Sequence, residues 1–494
     1  MAGKVSTYFK RFAKALLLLI AALAIIIMVR TFSFSSQQPA VETVEQIALD
    51  SGVVQRLAQS LTFPTISYTN HVDTAAFEGL DSFMRSNYPL VHSQLKSIPT
   101  GSLSHLYYWQ GKRADLLPVL LMGHADVVPV EESTRDQWQA PPFGGSIQEG
   151  FVWGRGTLDD KVAVFGLLEA MEHLLKAGHV PERSLYVAFG HDEETGGTGA
   201  KGMAAWLEAQ NIQFEYILDE GQMIVENALA GLDKPMAMIG LAEKGYTTLT
   251  LSVQLSKGGH SSMPPAETAI SILSRGIVRL SENPLPARID GATEQFFEFI
   301  GPEMNMPFRA IFANMWLSKP LIISQLGGDP AAGALIRTTT APTMLRGGIA
   351  ENVLPAAASA KINFRILPGE TIESVMADVR KIVADERIIV MEGDGGFSQN
   401  PSEVSPTQSA GFRVIQKTIR QIFPDVVVAP ALVIAATDAR HYSKVSKCIY
   451  RFAPIRLARS DLGQLHGVNE RIGEEDYRQA VRFYRQLILN SDRL

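Results

Sequence analysis

Three short apolar runs, Leu116 to Met122, Ser184 to Phe189 and Phe214 to Leu218, each lead within a few residues to ionisable side chains. Between the first two lies Lys161 to Lys176, where Val162, Phe165, Leu168, Met171 and Leu175 recur at helical spacing and Gly178 supplies a stop. Near-continuous apolar runs separated by helices read as buried parallel strands. Strands alternating with helices predict an α/β fold with an open, doubly wound sheet. In such sheets ligands bind outside the carboxyl ends of the strands. Whatever follows these three runs is therefore expected on one rim: His124 and Asp126 after the first, Glu193 and Glu194 after the second, Asp219 after the third. Asp159, just ahead of the Lys161 helix, is also a rim position.

The pattern changes near Lys244. Leu249, Leu251, Val253 and Leu255 alternate with polar residues, and Ala360, Ile362, Phe364 and Ile366 repeat the alternation. A sheet with one covered face follows. Helical spacing returns from Thr371 to Glu386, so the middle of the chain reads as an inserted α+β domain. The expected division is residues 1–40 as signal anchor and linker, 41–245 and 399–494 as the two parts of one catalytic domain, and 246–398 as the insertion. Further helices are expected over Val44 to Leu61, Gln408 to Phe423 and Glu474 to Asn490. The stretch from Pro284 to Pro342 is rich in Pro, Gly and Met and suggests no element.

Lys4, Lys10, Arg11 and Lys14 precede an uninterrupted apolar run from Ala15 to Val29. This reads as an uncleaved signal anchor rather than a cleaved signal, oriented with its amino end inside. The body of the protein is then extracytoplasmic: membrane-anchored in a periplasmic, vacuolar or extracellular setting, or secreted if the segment is cleaved. The net charge of −6, without a basic stripe, argues against nucleic acid as a partner. The single cysteine, Cys448, rules out a disulfide framework and any multi-cysteine metal site.

Carboxylates crowded on one rim repel unless cations compensate them. Imidazole and carboxylate without thiolate suit zinc, with cobalt or manganese as alternatives. Two such ions can share a carboxylate, leaving a further acid free to move protons.

The motifs Gly123-His124-Ala125-Asp126, Gly154 through Lys161 (GRGTLDDK) and Gly190 through Gly197 (GHDEETGG) resemble the di-zinc aminoacylase/carboxypeptidase family, nearest to carboxypeptidase S and the N-fatty-acyl-amino-acid hydrolases. Gly258 to Ser262, Asn352 to Pro355 and Thr437 to Tyr442 extend the resemblance, which covers residue 45 to the end. The resemblance implies that His124 and Asp219 hold one metal, Glu194 and His466 the other, with Asp159 bridging. It also implies a cis peptide after Asp159. Asp126 would fix the tautomer of His124. Glu193 would be the general base for attack by a metal-bridged hydroxide on an amide bond beside a free carboxylate. The substrate would be a peptide or an N-acyl amino acid. His260, on an inserted lid and dimerisation domain, would stabilise the oxyanion, in this family often across a homodimer interface. Asn352, Arg365, Asp438 and Arg440 would bind substrate, Arg365 by clamping a carboxylate. Two rival readings are a metal-dependent binding protein without turnover and a di-metal phosphoesterase.

Overall fold

A computed structural model describes residues 2–69, 71–101, 103–393 and 397–494, with side chains from Tyr8 onward. The Lys4 side chain, part of the basic flank, lies outside the described residues.

The three apolar runs form neighbouring strands of a ten-stranded mixed sheet. Val119–His124 runs parallel to Leu185–Gly190 on one side and to Tyr216–Asp219 on the other. Alternate residues of the first strand serve two cores. Val119 and Leu121 pack under the helices Val53–Ser60, Lys161–Lys176, Ala410–Ile422 and Glu474–Ser491. Leu120 and Met122 face the helix Thr198–Ala209 together with Ala439 and Tyr442. Both faces being covered, the strands are apolar throughout. The chain is thus a mixed α/β fold whose sheet presents its carboxyl-end rim to a cleft.

The insertion is a four-stranded antiparallel sheet, in the order Thr339–Gly347, Ala357–Ile366, Gly245–Gln254, Ile388–Glu392. Its covered face carries Leu249, Leu251, Val253, Ile362 and Phe364 against the helices Ala269–Glu282 and Ile372–Val383. Each helix opens on a capping box, Thr268 with Ser271 and Thr371 with Ser374, which satisfies its first free N–H groups.

Two expectations need correction. The inserted module does not fill 246–398. Between its helix Ala269–Glu282 and its strand Thr339–Gly347 the chain returns to the main module. There Ile289, Phe297, Phe299, Ile300, Ile322 and Ile336 join the large core through the helices Gly291–Ile300, Phe308–Ala313 and Met315–Leu326. This is the Pro284–Pro342 stretch; short helices broken by Gly and Pro gave no readable period. The helix expected over Val44 to Leu61 begins only at Val53, because Gly52 donates its N–H to the Asp50 side chain at 2.6 Å and closes a turn there.

The N-terminal apolar run lies in a helix spanning Ala2–Ser33. Its section Tyr8–Ser33 is long and apolar enough to cross a membrane, and its apolar side chains stand exposed.

Candidate metal centre

His124 ends its strand on the rim, almost fully buried. Its Nδ1 lies 3.1 Å from the Asp126 carbonyl and 3.2 Å from Asp126 Oδ1; its Nε2 lies 2.8 Å from Asp159 Oδ1. The other Asp159 oxygen faces His466 Nε2 at 3.0 Å. Asp159 therefore stands between two imidazoles, one oxygen to each. The peptide bond after it is cis. Glu194 Oε1 approaches His466 Nε2 at 3.3 Å yet is buried without a hydrogen-bond partner. Ligand atoms of His124, Asp159 and Glu194 lie within 4.8 Å of one another.

Asp126 organises this group. Its carboxylate accepts from Ser67 Oγ and from the backbone N–H of Glu193 at 3.1 Å and of Glu194 at 3.2 Å. One fully buried acid thus orients His124 and fixes the turn that carries both glutamates. A second buried acid does the same on the opposite side. Glu470 accepts from Gly156 N at 3.0 Å, Leu158 N at 2.8 Å and Arg155 Nη1 at 2.6 Å. Arg155 in turn donates to the carbonyls of His466 at 3.1 Å and Gly467 at 3.0 Å, tying the Asp159 loop to the His466 loop.

The electrostatics are those of a site built around positive charge. Burial opposes ionisation of Asp159, but hydrogen bonds from His124 and His466 hold its carboxyl far below the usual range. The Asp159 and Glu194 carboxylates raise the His466 imidazole to about 10. Protons on these histidines occupy the lone pairs a metal would take, so cation and proton compete for one place. Burial, with the nearby charges of Asp438 and Glu194, pushes Glu193 well above the ordinary carboxylate range. Convergent imidazole and carboxylate donors, no thiolate and an orphaned buried carboxylate oxygen fit a zinc-class ion.

The cleft encloses about 610 Å³ and is walled by both modules. Asp159, Glu193, Glu194, Glu220, Arg440 and His466 line it from the main module, and Tyr246, Arg365 and Phe397 from the opposite side. Arg365 stacks over the Tyr246 ring at 4.7 Å, and Arg440 lies over Phe397 with Nη1 3.3 Å from Glu193 Oε1. Met223, Val433, Ala435, Ala436 and Leu465 add an apolar stretch of wall.

Four residues singled out in the sequence stand elsewhere. Asp219 is buried, and its two oxygens accept from the backbone N–H of Glu220 at 3.0 Å and of Ala439 at 2.7 Å. Its neighbour Glu220 is the one that lines the cleft, its pKa raised by burial and by the charges of Asp159 and Asp219. Strand alternation was the available signal: Asp219 shares a face with Ile217, whose cluster includes Ala439, and Glu220 follows the strand end. Asp438 lies buried behind Glu193 with neither oxygen hydrogen-bonded. His260 is exposed on the inserted module, its Nδ1 accepting from Ser262 N at 3.1 Å. Asn352 sits beside it, accepting from Ser261 N at 3.1 Å, and neither lines the cleft. His191, adjacent to the acid pair, turns to Ser104 Oγ at 2.7 Å.

This fold, with its facing histidines and carboxylates, defines the metallopeptidase and amidohydrolase class of enzyme. The chain belongs to the peptidase family M20/M25/M40, whose model matches residues 120–490. It is 40% identical to a protein named probable carboxypeptidase S-like 2 of Dictyostelium discoideum, over 96% of this chain and 93% of that one. It is 37% identical to the Homo sapiens N-fatty-acyl-amino acid synthase/hydrolase PM20D1, over 89% and 87%, and 30% identical to carboxypeptidase S of Saccharomyces cerevisiae, over 90% and 84%. Among solved structures, an M20 family metallo-carboxypeptidase from Sulfolobus solfataricus superposes with a TM-score of 0.63 at 18% identity, covering 90% of this chain and all of that one. The enzyme class and family agree with what the sequence motifs resemble.

Proposed function

We propose that the protein is a di-metal hydrolase of amide bonds beside a free carboxylate, acting on N-acyl amino acids with an apolar acyl group. The observation that carries this reading is the cleft itself: an Asp159 shared between two imidazoles, an arginine on the facing module and an apolar wall between them. His124 and Glu220 would hold one ion, and Glu194 and His466 the other, with Asp159 between them. Glu220 is given the place the sequence assigned to Asp219 because Glu220 lines the cleft, whereas each Asp219 oxygen accepts a backbone N–H. When bound, two zinc-class ions supply Lewis acidity to the scissile carbonyl and make the attacking water more acidic.

The rest falls to the chain. Glu193 accepts the proton of the attacking water and delivers it to the leaving nitrogen. Arg440 holds the Glu193 carboxylate in place. Arg365, kept extended by its stack on Tyr246, clamps the free carboxylate of the substrate. Met223, Val433, Ala435 and Leu465 receive the acyl chain. His260 is exposed and does not line the cleft of its own chain, so the His260 that stabilises an oxyanion would come from a second copy, which makes a homodimer part of the proposal. The N-terminal helix anchors the enzyme with its body extracytoplasmic.

Relatives named as carboxypeptidases favour a second reading, in which a carboxy-terminal peptide bond is cut by the same machinery. Zinc-loaded full-length protein in vesicles, assayed against N-oleoyl amino acids, their methyl esters, dipeptides and phosphate esters, separates these. Hydrolysis of the N-oleoyl amino acids with loss on methyl esterification is expected. Much faster cleavage of dipeptides refutes the lipid preference. Phosphate-ester turnover alone, or no turnover at all, refutes the amide hydrolase.

A further inference from the structure

The helix Met315–Leu326 keeps one side in the core and turns an apolar side outward. Ile322 is buried, and Met315, Ile323 and Leu326 pack against the main core. Trp316 is 54% exposed, Leu317 50% and Leu321 57%. With Pro320 they fall at i, i+1, i+4 and i+5, one face of a helix. No acid or arginine interrupts this helix, and its single cation, Lys319, is 3.4 Å from Glu294. An outward row of large apolar side chains marks an interaction surface.

Its position identifies the partner. Asn314, the residue before this helix, donates to Thr31 Oγ1 at 3.2 Å and to the Ile27 carbonyl at 3.4 Å. Arg309 donates to the carbonyls of Thr31 at 3.2 Å and Phe34 at 2.6 Å, and Arg30 Nε to that of Ala313 at 3.2 Å. These bonds grip the last turns of the N-terminal apolar helix. The uncharged run in that helix ends at Arg30, so the grip falls where the chain would leave the hydrocarbon. The exposed face of Met315–Leu326 thus begins level with the membrane surface, and a tryptophan leads it, as at lipid–water boundaries.

We propose that Met315–Leu326 is a second, monotopic membrane contact, lying in the outer interface of the bilayer that the N-terminal helix crosses. The proposal rests on reading the N-terminal helix as an anchor. A single cysteine at an exposed site, Leu321→Cys in a Cys448→Ser background, carries an environment-sensitive dye on full-length zinc-loaded protein in phosphatidylcholine vesicles. Gln210→Cys, exposed just past the helix Thr198–Ala209, is the control. Alkaline carbonate extraction reports the anchor independently, and an unchanged melting midpoint reports folding. Expected are retention in the carbonate pellet, several-fold less quenching by aqueous iodide at 321 than at 210, and quenching by brominated acyl chains at 321 alone. Retention with equal iodide quenching at both sites overturns the interfacial helix and leaves the anchor standing. Release into the carbonate supernatant overturns the anchor and the proposal with it.

Discussion

Glu193 has one carboxylate oxygen near Arg440 and sits among buried acids, so its chemistry separates from metal binding. Glu193→Gln should retain bound metal near wild-type content while kcat falls about 10²–10⁴-fold, the usual share of a general acid–base group. Unchanged turnover in that variant removes Glu193 from the reaction. The pair Asp219 and Glu220 gives a sharper comparison. Glu220→Ala should lose one of two bound ions. Asp219→Ala should keep both and melt earlier, since it leaves the Glu220 N–H without an acceptor, worth about 1–3 kcal/mol, and the Ala439 N–H with only its longer bond to Thr437 Oγ1 at 3.3 Å. Elemental analysis beside thermal melting decides this, and the opposite pattern of metal loss refutes the assignment. In the sequence, the motifs around His124, Asp159 and Glu194 were legible because each follows or precedes a recognisable element. Which of two adjacent acids faces the cleft could not be read from motif spacing; only the alternation of the strand ending at Asp219 carried that information. The pairing of Arg155 with Glu470 was equally hidden: Arg155 lies within the motif Gly154 to Lys161, but its partner stands most of the chain away with no local pattern of its own.

At the scale of elements, the loops bearing Asp159 and His466 flank the paired strands Phe151–Trp153 and Arg471–Gly473, and beyond that ladder the Arg155–Glu470 pair holds them to each other. Arg155→Met leaves a buried, unpaired carboxylate, a loss of about 3–5 kcal/mol. Denaturant titration should show that loss, with weaker metal retention because the His466 loop is freed; stability within 1 kcal/mol of wild type contradicts it. His92, in the short helix Pro89–Gln94, is depressed to about 4 by burial, then by the charge of Arg85. The unfolded chain, titrating near 6.5, binds that proton first. Its contribution is complete above pH 6.5 and drains as pH falls toward 4. His92→Leu should therefore flatten part of the decline in melting temperature over that window; an identical slope removes His92 as a cause. The alternating strands Gly245–Gln254 and Ala357–Ile366 and the long helices were readable from periodicity. The helices between Gly291 and Leu326 were not, because Gly and Pro break them into lengths too short to show a repeat and because their partners lie in the distant main core.

For the molecule as a whole, the cleft gathers Asp159, Glu193, Glu194 and Glu220 against few cations, so a bound ion should stabilise the fold as well as enable chemistry. Chelation should abolish hydrolysis and lower the melting temperature, and zinc should restore both. Metal at about 1,000 times its Kd is worth about 4 kcal/mol. Chelation that silences activity without moving the melt refutes the structural contribution.

The polypeptide passes between the two modules four times: near Lys244, before Ile289, after Ile336 and after Glu392. Three of these passages are laced together. Lys244 Nζ donates to the carbonyls of Ala334 and Arg337 at 2.8 Å, while Glu370 receives both Arg288 and Thr338. A body hung from two threads swings freely about the line joining them; one sewn on at four points must bend its own seams to turn. Any change in the gap between the modules therefore has to bend or break these ties, and the stitching resists a guest that does not match the opening.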